Sequence, residues 1–271
     1  MLDVGHARAL RIDDVPAAFQ LSAEAGWNQT EEDWRTLLKL APATCLAIEI
    51  DGELAATTTL LCYRQRLAWL GMVLTKKKFQ RRGLAKTLLR QTLERADQMG
   101  IETIRLDATD QGQPLYEQVG FQGEQVIERW SRPGTNAAAF SGTDSTSTIW
   151  REHDLKYFGA DRLALLDRLA ARGPVWTLGQ SYLFARAGRF SPYLGPCAGN
   201  DPNAARELIK QCVKHDSGSW TWDLFPANPD AVGIAKDLGF TPQRRLLRMA
   251  RGKDLPENTN AIYAIAGFEL G

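Results

Sequence analysis

The sequence predicts an α+β fold, a mixed sheet with flanking helices, built twice along 271 residues. Three observations predict it. Two helical patterns precede three strand patterns, a helix and a further strand. A stretch poor in large apolar residues then interrupts the chain. Behind it the same order of signals returns.

In the first half, Val15, Ala18, Phe19 and Ala23 have helical spacing behind Asp13-Asp14, and Thr30-Glu31-Glu32-Asp33 opens a helix carrying Trp34, Leu37 and Leu38. Cys45 to Ile50 and Leu54 to Cys62 read as strands joined by the hairpin-type turn Asp51-Gly52-Glu53. Leu67 to Thr75 is a third strand, Gly83 to Met99 a long amphipathic helix, and Thr103 to Ala108 a fourth strand.

Between Ser131 and Thr148 lie Ser131-Arg132-Pro133-Gly134 and the Ser/Thr-rich run from Ser141, which read as a linker rather than a long surface loop. The expected organisation is a domain over 1–131, a linker over 132–149 and a second domain over 150–271. Tyr193-Leu194-Gly195-Pro196 then echoes Trp69-Leu70-Gly71-Met72, and a helix from Asn203 to His215 echoes Gly83 to Met99. Trp220 to Leu224 echoes Ile104 to Asp107, and Asp237-Leu238-Gly239-Phe240 echoes Gln118-Val119-Gly120-Phe121.

With 44% hydrophobic and 24% charged residues, the chain can fill a real core. Lys+Arg 33 against Asp+Glu 32 leaves no basic field, so neither nucleic acid nor an anionic membrane is an expected partner. Cys45, Cys62, Cys197 and Cys212 show no CxxC spacing and read as reduced core residues. Met1 to His6 has no secretory pattern, and no apolar run approaches membrane length, so a cytoplasmic location is expected. His153 and His215 are isolated, and no metal site is expected.

The chemistry concentrates where the third strand ends. Lys76-Lys77-Lys78-Phe79-Gln80-Arg81-Arg82 is a basic turn, and Gly83 and Ala85 open a helix whose first N–H groups have no internal acceptors. Small residues admit a pyrophosphate to the backbone, and the helix dipole with Arg81, Arg82 and Lys86 favours its charge. The P-loop pattern fails because Gln80 and Ala85 occupy its glycine positions, and no GxGxxG is present here. The plainer reading of this segment alone is a solvated basic turn.

Gln80-Arg81-Arg82-Gly83-Leu84-Ala85 resembles the (Q/R)xxGx(G/A) pyrophosphate loop of GNAT acetyltransferases, and Leu115-Tyr116-Glu117-Gln118-Val119-Gly120-Phe121 resembles their "lYeklGF" element. Ala25 to Thr30 and Leu106 to Asp110 are similar to a bacterial branch with two such domains in tandem. The resemblance spans 7–130 strongly and 180–271 weakly. It implies two GNAT-like domains, each a mixed, mostly antiparallel twisted sheet with a central splayed strand and flanking helices.

It also implies acetyl-CoA as cosubstrate. Met72, Val73, Leu74 and Thr75 would hold the pantetheine arm, and Gln80, Arg81, Arg82, Gly83, Leu84, Ala85 and Lys86 the pyrophosphate. Tyr116 would protonate the departing thiolate; the plainer reading makes it core packing. Trp27 and Asn28, between the first two helices, and Trp69 would contact the acceptor. The reaction would be direct acetyl transfer to a primary amine of a small molecule or peptide. Presenting a Lys-like amine of pKa about 10.4 in neutral form costs roughly 4 to 5 kcal/mol at pH 7, so a base is needed. GNAT enzymes often place a Glu on the strand before the loop, yet Arg64 to Met72 contains no carboxylate. Glu24, Glu31, Asp33 and Asp107 are candidates, each of which also reads as a surface, capping or structural acid, and a water chain or a less basic acceptor would remove the need.

In the second repeat Ala235 stands at the position of Tyr116, and Gly195 to Asn203 has no Lys or Arg, which predicts a copy that binds no CoA. Such a copy can bury the first domain's open face, line the acceptor pocket or form a homodimer. The rival reading of the whole is a non-catalytic acyl-CoA-binding sensor or assembly module. A third has the pair acting on an antibiotic-like or thiol-containing metabolite.

Overall fold

The protein is described by a computed structural model that covers residues 7–134, 148–214 and 218–271. Met1 to His6, most of the expected linker and His215 lie outside the described residues.

The first half runs β1 (Ala7–Ala9), α1 (Val15–Glu24), α2 (Glu31–Leu40), β2 (Leu46–Ile50), β3 (Glu53–Tyr63), β4 (Leu67–Thr75), α3 (Leu84–Gln98), β5 (Thr103–Ala108), α4 (Gln113–Glu117) and β6 (Gln122–Arg132). The second half repeats the order: α5 (Trp150–Phe158), α6 (Leu163–Ala170), β7 (Val175–Leu178), β8 (Ser181–Arg186), β9 (Tyr193–Ala198), α7 (Pro202–Lys214), β10 (Trp220–Leu224), α8 (Pro229–Asp237) and β11 (Thr241–Gly252). It then adds β12 (Ile262–Ala264).

Local chemistry sets the element ends. α2 starts at a capping box in which Thr30 accepts from the Asp33 N–H and Asp33 accepts from the Thr30 N–H. α3 buries Leu84, Leu88, Leu89, Thr92, Leu93 and Ala96 on one stripe, which packs mainly on β3. β3 is buried almost throughout, as a central strand covered on both faces must be.

The two sheets expected from the repeat are joined in one twelve-stranded sheet of order β1-β2-β3-β4-β5-β11-β6-β10-β9-β8-β7, with β12 on β9. The last strands of the halves are exchanged. β11 pairs with β5, β6 pairs with β10, and β11 and β6 pair with each other around Leu246↔Ile127. The exchange leaves neither half with an open edge at the centre. Ser131 and Arg132, at the start of the expected linker, belong to β6, with Ser131 opposite both Thr221 and Thr241.

Candidate active site

The site begins where β4 leaves β5. These parallel strands pair only at Ala68↔Ile104 and Trp69↔Arg105, and β4 then runs on to Thr75 without β5 beside it. A register shift on the β3 side bends β4 at the same level. Met72 takes a left-handed backbone, φ 49°, and its carbonyl accepts from Thr57 Oγ1 at 2.9 Å. Such a conformation costs a non-glycine residue about 1–2 kcal/mol, and residues held this way cluster at functional sites. The resulting cleft has a volume of about 720 Å³, and Met72 to Thr75 form one wall.

At one end of that wall the cleft reaches the start of α3. Gly83 caps the helix at φ 81°, and a Cβ there would meet nothing within 4 Å, so the helix end opens onto free space. Lys76 and Lys78 are both paired with Glu53, whereas Lys77 and Arg81 have no ion-pair partner among the described residues. Among the described residues Lys86 donates to the Gln118 side-chain carbonyl, at 3.3 Å, and has no ion-pair partner. Gln80, Arg81, Gly83, Leu84, Ala85 and Lys86 line the cleft. Arg82 does not; its guanidinium lies 5.2 Å from the centre of the Phe79 ring. The exposed N–H groups and unpaired cations make this end an anion site. Gly83→Ala would strain the loop, and if this end takes the pyrophosphate of acetyl-CoA, as the loop's resemblance implies, affinity for it is expected to fall about tenfold. Calorimetry checks this, and equal affinity refutes it.

Tyr116 stands on the other wall. α4 is wound from a Thr109–Gly112 turn, and Gly112 lets the ring lie close, since a Cβ there would sit 3.1 Å from Tyr116 Cε2. The ring packs edge-on to Phe121 at 6.0 Å. Burial pushes the phenol up to about 12, so it keeps its proton at neutral pH. Its hydroxyl makes no hydrogen bond among the described residues, and Leu115 and Tyr116 both line the cleft.

The other end is built by both halves. Trp27 lines it, but Asn28 and Trp69 do not. Asn28 is turned away to bind the second half: its Oδ1 accepts from the Phe190 N–H at 2.8 Å and its Nδ2 donates to the Ser191 carbonyl at 2.9 Å. Trp69 is fully buried, donates to the Phe268 carbonyl at 2.9 Å and packs under Gly271. Its role is to hold the segment from Ala266 to Gly271 against β4. Gln29, Arg129, Arg244, Leu246, Phe268 and Glu269 line this end although the sequence motifs point to none of them.

Of the four candidate bases, Glu31 pairs with Arg35 on the surface. Asp33 is buried, and against the cost of that burial Arg186, Arg172 and the Thr30 N–H hold it below the usual carboxylate range. Asp107 lines the cleft but is clasped by Arg248 at 2.9 and 3.0 Å. Glu24 lines the cleft from an exposed position. Glu269 differs from all four. It is buried beside β4, where a Cβ on Gly71 would fall 3.0 Å from its Cα, and burial pushes its carboxyl up against the pull of Arg186. The carboxylate missing from β4 is thus supplied to the same level of the cleft by a residue about 200 positions away.

In the second half the corresponding slot is closed. β9 and β10 pair only at Tyr193↔Thr221 and Leu194↔Trp222, and β12 then takes the place beside β9. It is tied across to β10, where Trp222 Nε1 donates to the Tyr263 carbonyl at 2.8 Å and the Ile265 N–H to the Asp223 carbonyl at 3.1 Å. Ala235, at the position of Tyr116, is fully buried. Among the described residues no group of three or more His, Cys, Asp or Glu is placed to hold a metal, and no helix is long and apolar enough to cross a membrane.

Fold and cleft together are those of an acyltransferase. A family profile described as "Acetyltransferase (GNAT) family" matches residues 10–121, and one described as "Acetyltransferase (GNAT) domain" matches residues 151–264. The chain belongs to the GNAT acetyltransferase family, as two GNAT domains in tandem. It is 24% identical to an uncharacterized N-acetyltransferase of Bacillus subtilis, YitH, over 97% of each chain. A putative acetyltransferase from Pyrococcus horikoshii shares the fold with a TM-score of 0.86 at 22% identity, over 98% of this chain and 95% of that one. A GCN5-related N-acetyltransferase from Sphaerobacter thermophilus does so with a TM-score of 0.66 at 16% identity, over 94% and 99%.

Proposed function

We propose that the protein is an acetyl-CoA-dependent N-acetyltransferase that moves the acetyl group directly to a primary amine. The observation that carries this is a single cleft joining the splayed end of β4, the open start of α3 and the protonated Tyr116. In this reading the backbone of Met72 to Thr75 takes the pantetheine arm and the loop from Gln80 to Lys86 the pyrophosphate. Arg82, outside the cleft wall, serves as a long-range charge. Residues 1–131 form the cosubstrate domain and 150–271 the degenerate copy, whose own slot β12 fills. The free thiols of Cys45, Cys62, Cys197 and Cys212 suit a reducing, cytoplasmic setting.

Calorimetry and thermal shift with acetyl-CoA test it. At a hundred times Kd, stabilisation of about 2.7 kcal/mol is expected, or roughly 5 °C or more for a chain of this size. No heat and no shift at millimolar ligand would overturn the proposal. Release of free thiol in the presence of an amine separates an enzyme from a module that only binds.

A further inference from the structure

The acceptor end of the cleft carries two opposite poles. The first is Gln29 with Glu269. Gln29 is buried, its Nε2 donates to Glu269 Oε2 at 2.8 Å, and its Oε1 has no hydrogen-bond partner among the described residues. A buried carbonyl oxygen without a donor is costly unless a ligand supplies one. Glu269 receives neutral bonds from Gln29 and from its own backbone N–H, and Arg186 stands off at 3.8 Å. A carboxylate and an amide oxygen with spare acceptor capacity complement the three N–H donors of a primary ammonium.

The second pole is Arg244. The β6·β11 register sets Arg244 directly opposite Arg129. Asp223 engages Arg129 through two bonds, at 2.7 and 2.6 Å, while Arg244 has no carboxylate partner among the described residues. With Asp223 committed to Arg129, the Arg244 guanidinium stands at the cleft wall without a direct counter-charge among the described residues. Burial and the charge of Arg129 push the Arg244 guanidinium down, a strain that a bound anion relieves. Arg129 links the poles, since its guanidinium stacks 4.6 Å from the ring of Phe268, the neighbour of Glu269.

We propose that the acceptor is a primary amine bearing its own carboxylate, an amino-acid-like molecule, held with its ammonium on Glu269 and Gln29 and its carboxylate on Arg244. This rests on the acetyl-transfer reading above. Glu269 takes one ammonium proton, which frees the nitrogen lone pair to attack the acyl carbon. The C–N bond forms and the C–S bond breaks with its electron pair on sulfur. Tyr116 gives its proton to the thiolate, and the second proton lost by nitrogen restores the phenol. Around Glu269 stand Arg186 and Arg129, which favour its charge, and Asp33, which opposes it together with burial. Tyr63 and Tyr193 face the same cluster. Since the base must be ionised and its affinity for the proton is raised, activity falls with decreasing pH at a point above the ordinary carboxylate range.

Thiol release with amino acids and their decarboxylated partners, such as phenylalanine against phenethylamine and histidine against histamine, tests the inference. Acetyl-CoA calorimetry runs beside it. The expected result is a kcat/KM about ten- to a hundredfold higher for the carboxylate-bearing member. Arg244→Gln erases that preference, and Arg244→Lys restores part of it. Glu269→Gln removes the acidic limb of the pH profile, Glu269→Asp retains it, and all four variants bind acetyl-CoA as the parent does. Equal turnover of both members, or a preference that survives Arg244→Gln, overturns the inference. So does acetyl-CoA binding without turnover of any pair, an outcome that leaves the cosubstrate reading standing. Failure to bind acetyl-CoA at all removes that reading and this one together.

Discussion

Replacing Tyr116 with Phe is expected to lower turnover by about a hundredfold or more, the usual contribution of a positioned proton donor, while acetyl-CoA affinity stays within about twofold. The phenyl ring keeps the packing against Phe121 and the close approach to Gly112, so the change removes only the hydroxyl. That hydroxyl makes no hydrogen bond among the described residues, and burial holds its proton on at neutral pH. It is therefore available to a thiolate and costs the fold little to lose. The measurement is steady-state kinetics together with calorimetry on the same preparation. Turnover within about threefold of the parent would dismiss the proton-donor role and leave Tyr116 as a piece of the core.

Arg248→Met is expected to destabilise the fold by about 3–5 kcal/mol, roughly a 10 °C drop in midpoint at the usual sensitivity of a chain this long. Arg248 is buried on β11, between the rings of Trp69 and Phe225, at 4.5 and 4.7 Å from their centres. It binds Asp107 of β5 at 2.9 and 3.0 Å and Glu257 at 2.8 and 3.0 Å. Met fills much of the space but leaves Asp107 without its counter-charge and Glu257 with Arg105 alone, at 4.0 Å. Burial already pushes Asp107 up against the pull of Arg248, and the variant removes that pull. A carboxyl whose folded pKa lies above its unfolded one loses stability as pH rises through the folded value. The defect is therefore smallest below about pH 4, the unfolded Asp value, and grows toward neutrality, which thermal unfolding at several pH values reads directly. Asp107→Asn in the same chain should recover part of the loss. A midpoint within about 2 °C of the parent at pH 7.5 would show that the clasp does not hold the halves together.

How much of this was legible in the sequence depended on whether a feature was local. β4 and β5 fall on the predicted residues, because strand propensity and flanking turns sit within a few positions of each other. The loop before α3 and Tyr116 are local motifs of the same kind. β6 was invisible beyond Phe121 because it reads as polar on both faces. The structure explains this polarity, since Glu124 pairs with Arg105 of β5, and Arg129 meets Asp223 of the other half. Asn28 shows the limit at one-residue scale. The connection between α1 and α2 does border the acceptor end, but the loop carrying Phe190 and Ser191 draws Asn28 outward, and it is Gln29 that faces the cleft. As an aromatic near the site Trp69 suggests an acceptor contact, whereas in the structure it turns toward the segment that packs on β4. Glu269 and Arg244 carry no motif at all. They reach the cleft only through strand exchange and a close approach at Gly71, and neither is encoded by spacing.

The stretch from Ile262 to Glu269 does two jobs a few residues apart, stopping the slot in one copy and walling the cleft of the other. On the proposed reading, duplication relieved one half of holding the cosubstrate without making it dispensable. Substitutions around Arg244 would then shift the choice of amine while the residues that hold the acyl donor stay fixed, and most of the acceptor wall would be inherited with the copy that no longer holds a donor.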